Sequence, residues 1–227
     1  MPGSIPGSDR VRNRFTAEAR RFDDLYEDER LRVRLLRPGL FRRRRLAVQT
    51  VAALSAPRVL DVGCGSGRVG EFVLEAGASR YVGIDFAAPM IELATLRLQR
   101  FAPRSELVAG DFLDAPLEGP FEVILALGLF DYLDEPERFA RRMFELAASG
   151  GCVVGSFPAW SPVKGPVRKV RYEWIGDCPI FNYTRERLTG MFGESGFGHV
   201  EVFAPGRSGF LVRAWRGEPL LASTAPG

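Results

Sequence analysis

The segment Val59–Val69, with the sequence VLDVGCGSGRV, constrains the fold of this chain more than any other segment. Its apolar start, followed by three alternate glycines, predicts a buried strand that enters a tight turn and then a helix. Gly63, Gly65 and Gly67 carry no Cβ atom, so their backbone can adopt positive φ angles and a ligand can approach it closely. For such a loop taken alone, a tight turn without a ligand is the alternative.

The strand before the loop contains Asp61, and the glycine spacing that follows excludes one common ligand class. A carboxylate near the buried end of a strand is costly unless it is hydrogen-bonded, so Asp61 is predicted to face a polar ligand at the turn. In the dinucleotide fingerprint Gly-x-Gly-x-x-Gly, the third glycine packs the helix against the strand below a pyrophosphate. Counted from Gly63, that position holds Arg68. The spacing therefore disfavours NAD and FAD.

A second short apolar run, YVGID, ends in Asp85, which lies 24 residues after Asp61. A strand, a crossover helix and a return strand need about that length. At this point of a βαβ unit, a carboxylate can accept hydrogen bonds from both hydroxyls of a ribose, which is the role predicted for Asp85. A helix N-cap or turn residue is the alternative role for such an acid.

Two further units follow, ELVAGDF with Asp111 and Phe112 near its end, and FEVILALGLFDYL from Phe121 to Leu133. Together the four strand-and-loop units, over about residues 57–158, resemble the class I S-adenosylmethionine-dependent methyltransferases. The resemblance implies an α/β, Rossmann-like fold with helices on both faces of a seven-stranded sheet. It also implies the strand order 3-2-1-4-5-7-6, an antiparallel last strand and an N-terminal helical lid.

The same resemblance implies that the cofactor is S-adenosylmethionine. In that family the glycine loop passes under the amino acid part of the cofactor, and the acid corresponding to Asp111 accepts a hydrogen bond from adenine while Phe112 packs on the ring. Phe86 and Phe112 could instead be core aromatics. The residues expected to bind the cofactor are Asp61, Gly63, Cys64, Gly65, Gly67, Asp85, Phe86, Met90, Asp111, Phe112 and Leu127.

The length of 227 residues and a hydrophobic content of 46% fit one globular domain. A disordered tail is expected over residues 1–10, helices forming the lid over 11–56, the core over 57–216, and a loose tail over 217–227. No apolar run approaches the ~20 residues of a membrane span, and no secretory signal is visible. The three cysteines form neither a zinc pattern nor a disulfide framework, so no metal site and a cytoplasmic location are expected.

Regular elements are also predicted for the rest of the chain. A helix is expected over residues 40–54 and another over Pro136–Ala148, ended by the glycine pair at 150 and 151. A fifth strand, CVVGSFP, should then run over residues 152–158. The last helix is expected over Arg185–Ser195, followed by two strands in a hairpin.

The N-terminal region is rich in arginine. Residues 9–45 hold 13 arginines against seven acidic residues, a charge that could attract nucleic acid or another anion. Acids are interleaved with the arginines, as on a solvated helix with ion pairs, and only two of the 31 basic residues are lysines. Nucleic acid is therefore the less favoured partner, and a monomer or a homodimer is expected.

A long insertion, residues 159–184, lies where a simple connection takes about 2 to 6 residues. Its aromatic and basic side chains predict a cap over the substrate, and a structural flap or a dimer contact is the alternative. The lid contributes two aromatic candidates, for which packing in the helix core is the alternative. The residues expected to contact the substrate are Phe22, Tyr26, Arg168, Arg171, Tyr172 and Tyr183.

Methyl transfer requires alignment of the acceptor and exclusion of water, and a hydroxyl acceptor must also lose a proton. Asp131 and Tyr132 follow the fourth strand and are the catalytic candidates, although Asp131 could instead N-cap a helix with Glu135 in its first turn. The Asn/Asp-Pro-Pro-Tyr element of many nitrogen methyltransferases is absent from this loop. A small-molecule acceptor, with O-methylation first, is therefore expected. An RNA or protein methyltransferase and a non-catalytic cofactor-binding module are the alternatives.

Overall fold

The chain alternates strands and helices, as the sequence pattern predicts. The structure is a computed structural model, and it describes residues 38–159, 181–204 and 209–219. The helices are Pro38–Ala52 (α1), Arg68–Glu75 (α2), Ala88–Leu98 (α3), Pro136–Leu146 (α4) and Arg185–Glu194 (α5), with short 3-10 helices at Gln99–Phe101 and Phe130–Tyr132. The strands are Arg58–Val62 (β1), Arg80–Asp85 (β2), Ser105–Ala109 (β3), Phe121–Leu127 (β4), Ala147–Phe157 (β5), His199–Phe203 (β6) and Phe210–Trp215 (β7).

The seven strands form one sheet in the order β3-β2-β1-β4-β5-β7-β6. The first five strands pair in parallel, and β7 lies antiparallel between β5 and β6. The predicted fold class is therefore confirmed. Because β1 connects to β2 on one side while β4 lies on its other side, the loops after β1 and β4 diverge and leave a crevice at their carboxyl ends.

Alternate residues of the central strands belong to two apolar layers, one on each face of the sheet, because successive side chains of a strand point to opposite faces. Val59 and Tyr81 belong to the layer that includes buried side chains of α1 and α2, whereas Leu60 and Val82 belong to the layer that includes α4 and α5. Leu46 of α1 is only 1% exposed. The described part of the predicted lid, helix α1, therefore packs on one face of the sheet.

The connection between α4 and β5 differs from the prediction. A helix to Ala148 was expected, but α4 ends at Leu146 and β5 starts directly at Ala147. Phe121 of β4 pairs with Ala147, and after a register shift Val123 pairs with Cys152. The small residues at 147–151 allow β5 to remain beside β4 across the register shift. The glycine pair at 150 and 151, which was expected to end the helix, therefore lies inside β5.

Several predicted segments lie outside the described residues. They are the tail and first helix at residues 1–37, most of the cap at 160–180, and the end of the last tail from residue 220. Within the described ranges, no helix combines the length and the apolar character that crossing a membrane requires.

Two helical glycines offer a matched test of packing on the sheet. A Cβ atom at Gly70 of α2 would lie 2.6 Å from the ring of Tyr81, whereas a Cβ atom at Gly190 of α5 would meet none of the described part of the chain within 4 Å. Gly70→Ala is therefore expected to lower the free energy of unfolding by about 1–3 kcal/mol through overpacking. Gly190→Ala should raise it by about 0.5–1 kcal/mol through helix propensity. Urea denaturation measures both, and a gain in stability from Gly70→Ala would contradict the packing described.

Candidate functional site

The glycine loop after β1 has one position that is open to a ligand. Gly63, Gly65 and Gly67 all have positive φ angles, of 72°, 53° and 74°. A Cβ atom at Gly63 would lie 3.2 Å from Leu129, and one at Gly67 would lie 3.0 Å from Ala94. No atom of the described residues lies within 4 Å of such a Cβ atom at Gly65. The first and third glycines therefore allow packing within the protein, and close approach of a ligand is possible at Gly65.

Three consecutive N–H groups of this loop donate within the protein. Those of Gly63 and Cys64 both donate to the Ile84 carbonyl, at 2.8 and 3.1 Å, and that of Gly65 donates to Asp85 at 2.9 Å. A loop that cradles phosphate presents its N–H groups to the ligand instead. The geometry therefore agrees with the glycine spacing in disfavouring a pyrophosphate at this loop.

Asp85, at the end of β2, has a carboxylate held by two backbone donors. Its Oδ2 atom accepts the N–H of Gly65 and its Oδ1 atom accepts the N–H of Ala87, both at 2.9 Å. Burial raises the pKa of Asp85, and these two hydrogen bonds oppose that rise. Each carboxylate oxygen can accept a second hydrogen bond. Asp85 can therefore hold the turn through these two N–H groups and also accept hydrogen bonds from two hydroxyls of a ribose.

Asp61 is 2% exposed and accepts a hydrogen bond from the hydroxyl of Tyr81, at 2.9 Å. The pKa of Asp61 is raised to about 7, mainly by burial. The hydrogen bond from Tyr81 and the charge of Arg43 oppose this rise, and the nearby Asp85 adds to it. The partner that this buried carboxylate requires is therefore supplied by the protein. Sequence analysis did not identify Tyr81, because the tyrosine lies on the neighbouring strand and its side chain reads as a core aromatic.

Of the two predicted adenine contacts, Asp111 lies in a turn and Phe112 lies in the core. The Oδ1 atom of Asp111 accepts the N–H of Leu113 at 2.9 Å. Phe112 is 4% exposed, its ring centroid lies 5.5 Å from that of Phe139, and the guanidinium of Arg142 lies 5.6 Å from it. The ring of Phe112 thus packs in the core, as in the alternative role considered from the sequence.

The remaining predicted cofactor residues differ in how deeply they are buried. Met90 is buried with Ala87, and Phe86 packs against this pair beside Asp85. Cys64 is buried in the core, and burial raises the pKa of its thiol, so the thiol is protonated and acts as an apolar group. Leu127 is the last residue of β4 and is half-buried.

Asp131 and Tyr132 lie in the 3-10 helix that follows β4, and both are half-buried. Helix α4 begins only at Pro136, with Glu135 as its N-cap residue. The alternative in which Asp131 N-caps a helix that has Glu135 in its first turn is therefore wrong. The Asp131 carbonyl accepts the N–H of Phe181 at 2.9 Å, which ties this turn to the end of the insertion.

Tyr183, a predicted substrate contact, is 2% exposed. Its hydroxyl donates to the Phe130 carbonyl at 3.0 Å, and its ring centroid lies 5.2 Å from that of Phe157. Tyr183 therefore anchors the end of the insertion in the aromatic core, and its contact with a substrate stays a prediction. The other predicted substrate contacts, Phe22, Tyr26, Arg168, Arg171 and Tyr172, lie outside the described residues.

The buried Asp61 predicts a measurable dependence of stability on pH. The pKa of Asp61 is about 7 in the folded protein and 3.8 as its ordinary value, so between these values the folded state binds the additional proton. The stability that this proton contributes is complete below about pH 4 and is lost as pH rises through about 7. Asp61→Asn, whose amide oxygen can still accept from Tyr81, should remove this dependence.

The measurement is the free energy of unfolding of the parent and of Asp61→Asn between pH 5 and pH 7. The parent should lose stability relative to the variant by up to about 1.4 kcal/mol per pH unit. Asp114→Asn, which changes an exposed carboxylate, is the matched control and should follow the parent. A constant difference between parent and Asp61→Asn over this range would contradict the prediction.

Comparison with known proteins agrees with this geometry. Residues 59–151 match a family model described as a methyltransferase domain. The chain is 32% identical over 158 residues to demethylmenaquinone methyltransferase of Renibacterium salmoninarum, covering 68% of this chain and 63% of that protein. It is 32% identical over 108 residues to the ubiquinone biosynthesis O-methyltransferase of Ralstonia nicotianae, covering 47% of this chain and 45% of that protein. The chain thus spans less than two thirds of either relative.

A solved structure extends the similarity to the fold. Magnesium protoporphyrin IX methyltransferase from Synechocystis, with bound SAH, is similar with a TM-score of 0.71 at 19% identity, over 92% of this chain and 100% of that chain. The domain match and the shared fold confirm the resemblance predicted from the glycine loop and the strand ends.

Proposed function

We propose that this chain, which carries a methyltransferase domain on the class I methyltransferase fold, transfers a methyl group from S-adenosylmethionine to a small-molecule acceptor. The observation that carries the proposal is the pairing of Asp85 with Gly65. The carboxylate is held at the end of β2 with two acceptor positions to spare, directly beside the one glycine of the loop that faces open space.

S-adenosylmethionine fits this arrangement chemically. Its ribose offers two hydroxyl donors to Asp85. Its lack of a pyrophosphate suits a loop in which the N–H groups of Gly63, Cys64 and Gly65 donate within the protein. The similar Synechocystis structure holds SAH, and both curated relatives are methyltransferases. These similarities support S-adenosylmethionine as the cofactor proposed here.

For the reaction, the bound cofactor would supply a methyl group activated by the positive sulfur. The work left to the protein is to align the acceptor and to exclude water. Asp131 and Tyr132 are proposed to orient or deprotonate the acceptor, because the turn after β4 borders the glycine loop through Leu129. The hydrogen bond from Phe181 to the Asp131 carbonyl would hold this turn in place.

O-methylation is the finer proposal, since one relative is named as an O-methyltransferase of ubiquinone biosynthesis. The alternative proposals are methylation of RNA or protein through the arginine-rich N-terminal region, and cofactor binding without transfer. The charge of residues 9–45 is the observation that favours the RNA alternative.

The acceptor class is tested with purified protein and S-adenosylmethionine labelled in the methyl group. We expect the labelled methyl group to be transferred to small, hydroxyl-bearing compounds of a metabolite extract. Total RNA and denatured cellular protein should show only background labelling. Mass spectrometry of the labelled product distinguishes transfer to oxygen from transfer to nitrogen or carbon. Label found only in RNA or protein would replace the proposal with its first alternative, and binding without transfer would replace it with the second.

A substitution of Asp85 tests the cofactor site without an acceptor. Asp85→Asn keeps the shape of the side chain but removes the charge that strengthens hydrogen bonds to hydroxyl and N–H donors. The affinity for S-adenosylhomocysteine, measured by calorimetry, should fall by about 1.5–3 kcal/mol. Asp114→Asn, an exposed aspartate after β3, should bind as the parent does. If a folded Asp85→Asn variant bound S-adenosylhomocysteine as the parent does, Asp85 would not be the residue that binds the ribose.

A further inference from the structure

The segment that ends the insertion, Phe181 to Tyr183, connects the ends of two strands that border the proposed acceptor site. The N–H of Phe181 donates to the carbonyl of Asp131, in the turn after β4, at 2.9 Å. The N–H of Tyr183 donates to the carbonyl of Pro158, which follows β5, also at 2.9 Å. Asn182, the residue between these two contacts, therefore lies between the carboxyl ends of β4 and β5.

The side chain of Asn182 is directed away from the aromatic core. Tyr183 belongs to that core, and Phe181 packs against it. Because these two residues share one side of the segment, the segment is extended and the residue between them takes the other side. Asn182 is half-buried, so part of it stays accessible at this end of the sheet.

The structural roles that an asparagine could have here are filled by other residues. Helix α5 begins at Arg185, and its N-cap is Thr184, whose side chain accepts the N–H of Arg187 at 3.2 Å. Within the ranges that the structure describes, the side-chain amide of Asn182 makes no hydrogen bond. Its two N–H donors and its oxygen are therefore available to a ligand.

The carboxylate of Asp131 lies near the same segment. Phe130, the residue before it, is buried, with its ring centroid 4.4 Å from that of Phe157, whereas Asp131 is half-buried. The pKa of Tyr183 is raised mainly by burial, and the charge of Asp131 adds to this rise while that of Arg187 opposes it. A carboxylate and a neutral amide thus lie side by side at the end of β4.

We infer that the side-chain amide of Asn182 donates a hydrogen bond to the reacting hydroxyl oxygen of the acceptor and fixes its orientation. The inference rests on the proposed function, and it adds a residue to that same site. A hydroxyl has one hydrogen and two lone pairs. With its hydrogen bonded to Asp131 and one lone pair accepting from Asn182, the second lone pair is left for the methyl carbon.

The transfer step then has a place for each atom. The acceptor oxygen forms a bond to the methyl carbon, the carbon–sulfur bond breaks with its electron pair left on sulfur, and the hydroxyl proton passes to Asp131. The hydrogen bond from Asn182 makes the hydroxyl more acidic, because it favours the negatively charged oxygen. A carboxylate at position 182 would lack this donor, and its charge would repel the charge that develops on the oxygen.

The test measures methyl transfer and cofactor affinity on the same variants. A metabolite extract at fixed dilution supplies the acceptor, and S-adenosylmethionine labelled in the methyl group is saturating. The initial rate of transfer should fall about 10- to 100-fold in Asn182→Ala. Asn182→Asp, which keeps the shape without the donor, should be no faster than Asn182→Ala. The affinity for S-adenosylhomocysteine, measured by calorimetry, should stay within about twofold of the parent in both variants, because the cofactor contacts are untouched.

The control is Gln49→Ala, which removes an exposed amide from α1 and should leave the rate and the affinity as in the parent. A parent-like rate in Asn182→Ala would overturn the inference. A parent-like rate in Asn182→Asp would also overturn it, because the amide would then act without its donor. An equal loss of rate and of S-adenosylhomocysteine affinity would assign Asn182 to the fold or to the cofactor instead. If the parent transferred no methyl group to the extract, the proposed function would fall, and the inference with it.

Discussion

The carboxylate of Asp85 joins the two parts of the molecule on which the candidate site depends. One of its oxygens accepts the N–H of Gly65 in the loop after β1, and the other accepts the N–H of Ala87 just before α3. Removing a carboxylate from water disfavours its charged form, and the raised pKa of Asp85 records that cost. The two hydrogen bonds offset part of it and hold the carboxylate in one orientation, so the acceptor positions that remain are preorganised for a ligand.

A second polar contact supports the same loop from below. Tyr81 and Asp61 lie on neighbouring strands of the same sheet face, and the tyrosine ring fits beneath α2 because position 70 is glycine. A hydrogen bond to a charged or titrating group contributes about 1.5–3 kcal/mol, whereas a buried carboxylate without a partner is strongly destabilising. The loop thus rests on a buried polar pair, and a single methyl group at position 70 would disturb it.

Sequence analysis identified the backbone of the site more accurately than its side-chain packing. Apolar runs that end in acids predicted that Asp61 and Asp85 close neighbouring strands, because crossover lengths and the period of a strand are set by backbone geometry. The strand order was implied by the family resemblance. Sequence analysis did not distinguish an aromatic side chain at a ligand from one in the core. Phe112, for which the core was the stated alternative, and Tyr183 are both buried beside rings that are distant in sequence, those of Phe139 and Phe157.

The two halves of the candidate site are held by different means. Backbone hydrogen bonds of the loop after β1 and the carboxylate of Asp85 build the proposed cofactor side. On the proposed acceptor side, the turn at Asp131 is tied to the end of the insertion by Phe181 and by Tyr183, which packs among aromatic rings. Backbone geometry tolerates few substitutions, whereas an apolar cluster accepts many that keep its volume. The proposed cofactor side can therefore be recognised in the sequence as a glycine motif with an acid after the next strand, whereas the apolar packing on the proposed acceptor side leaves no comparable motif.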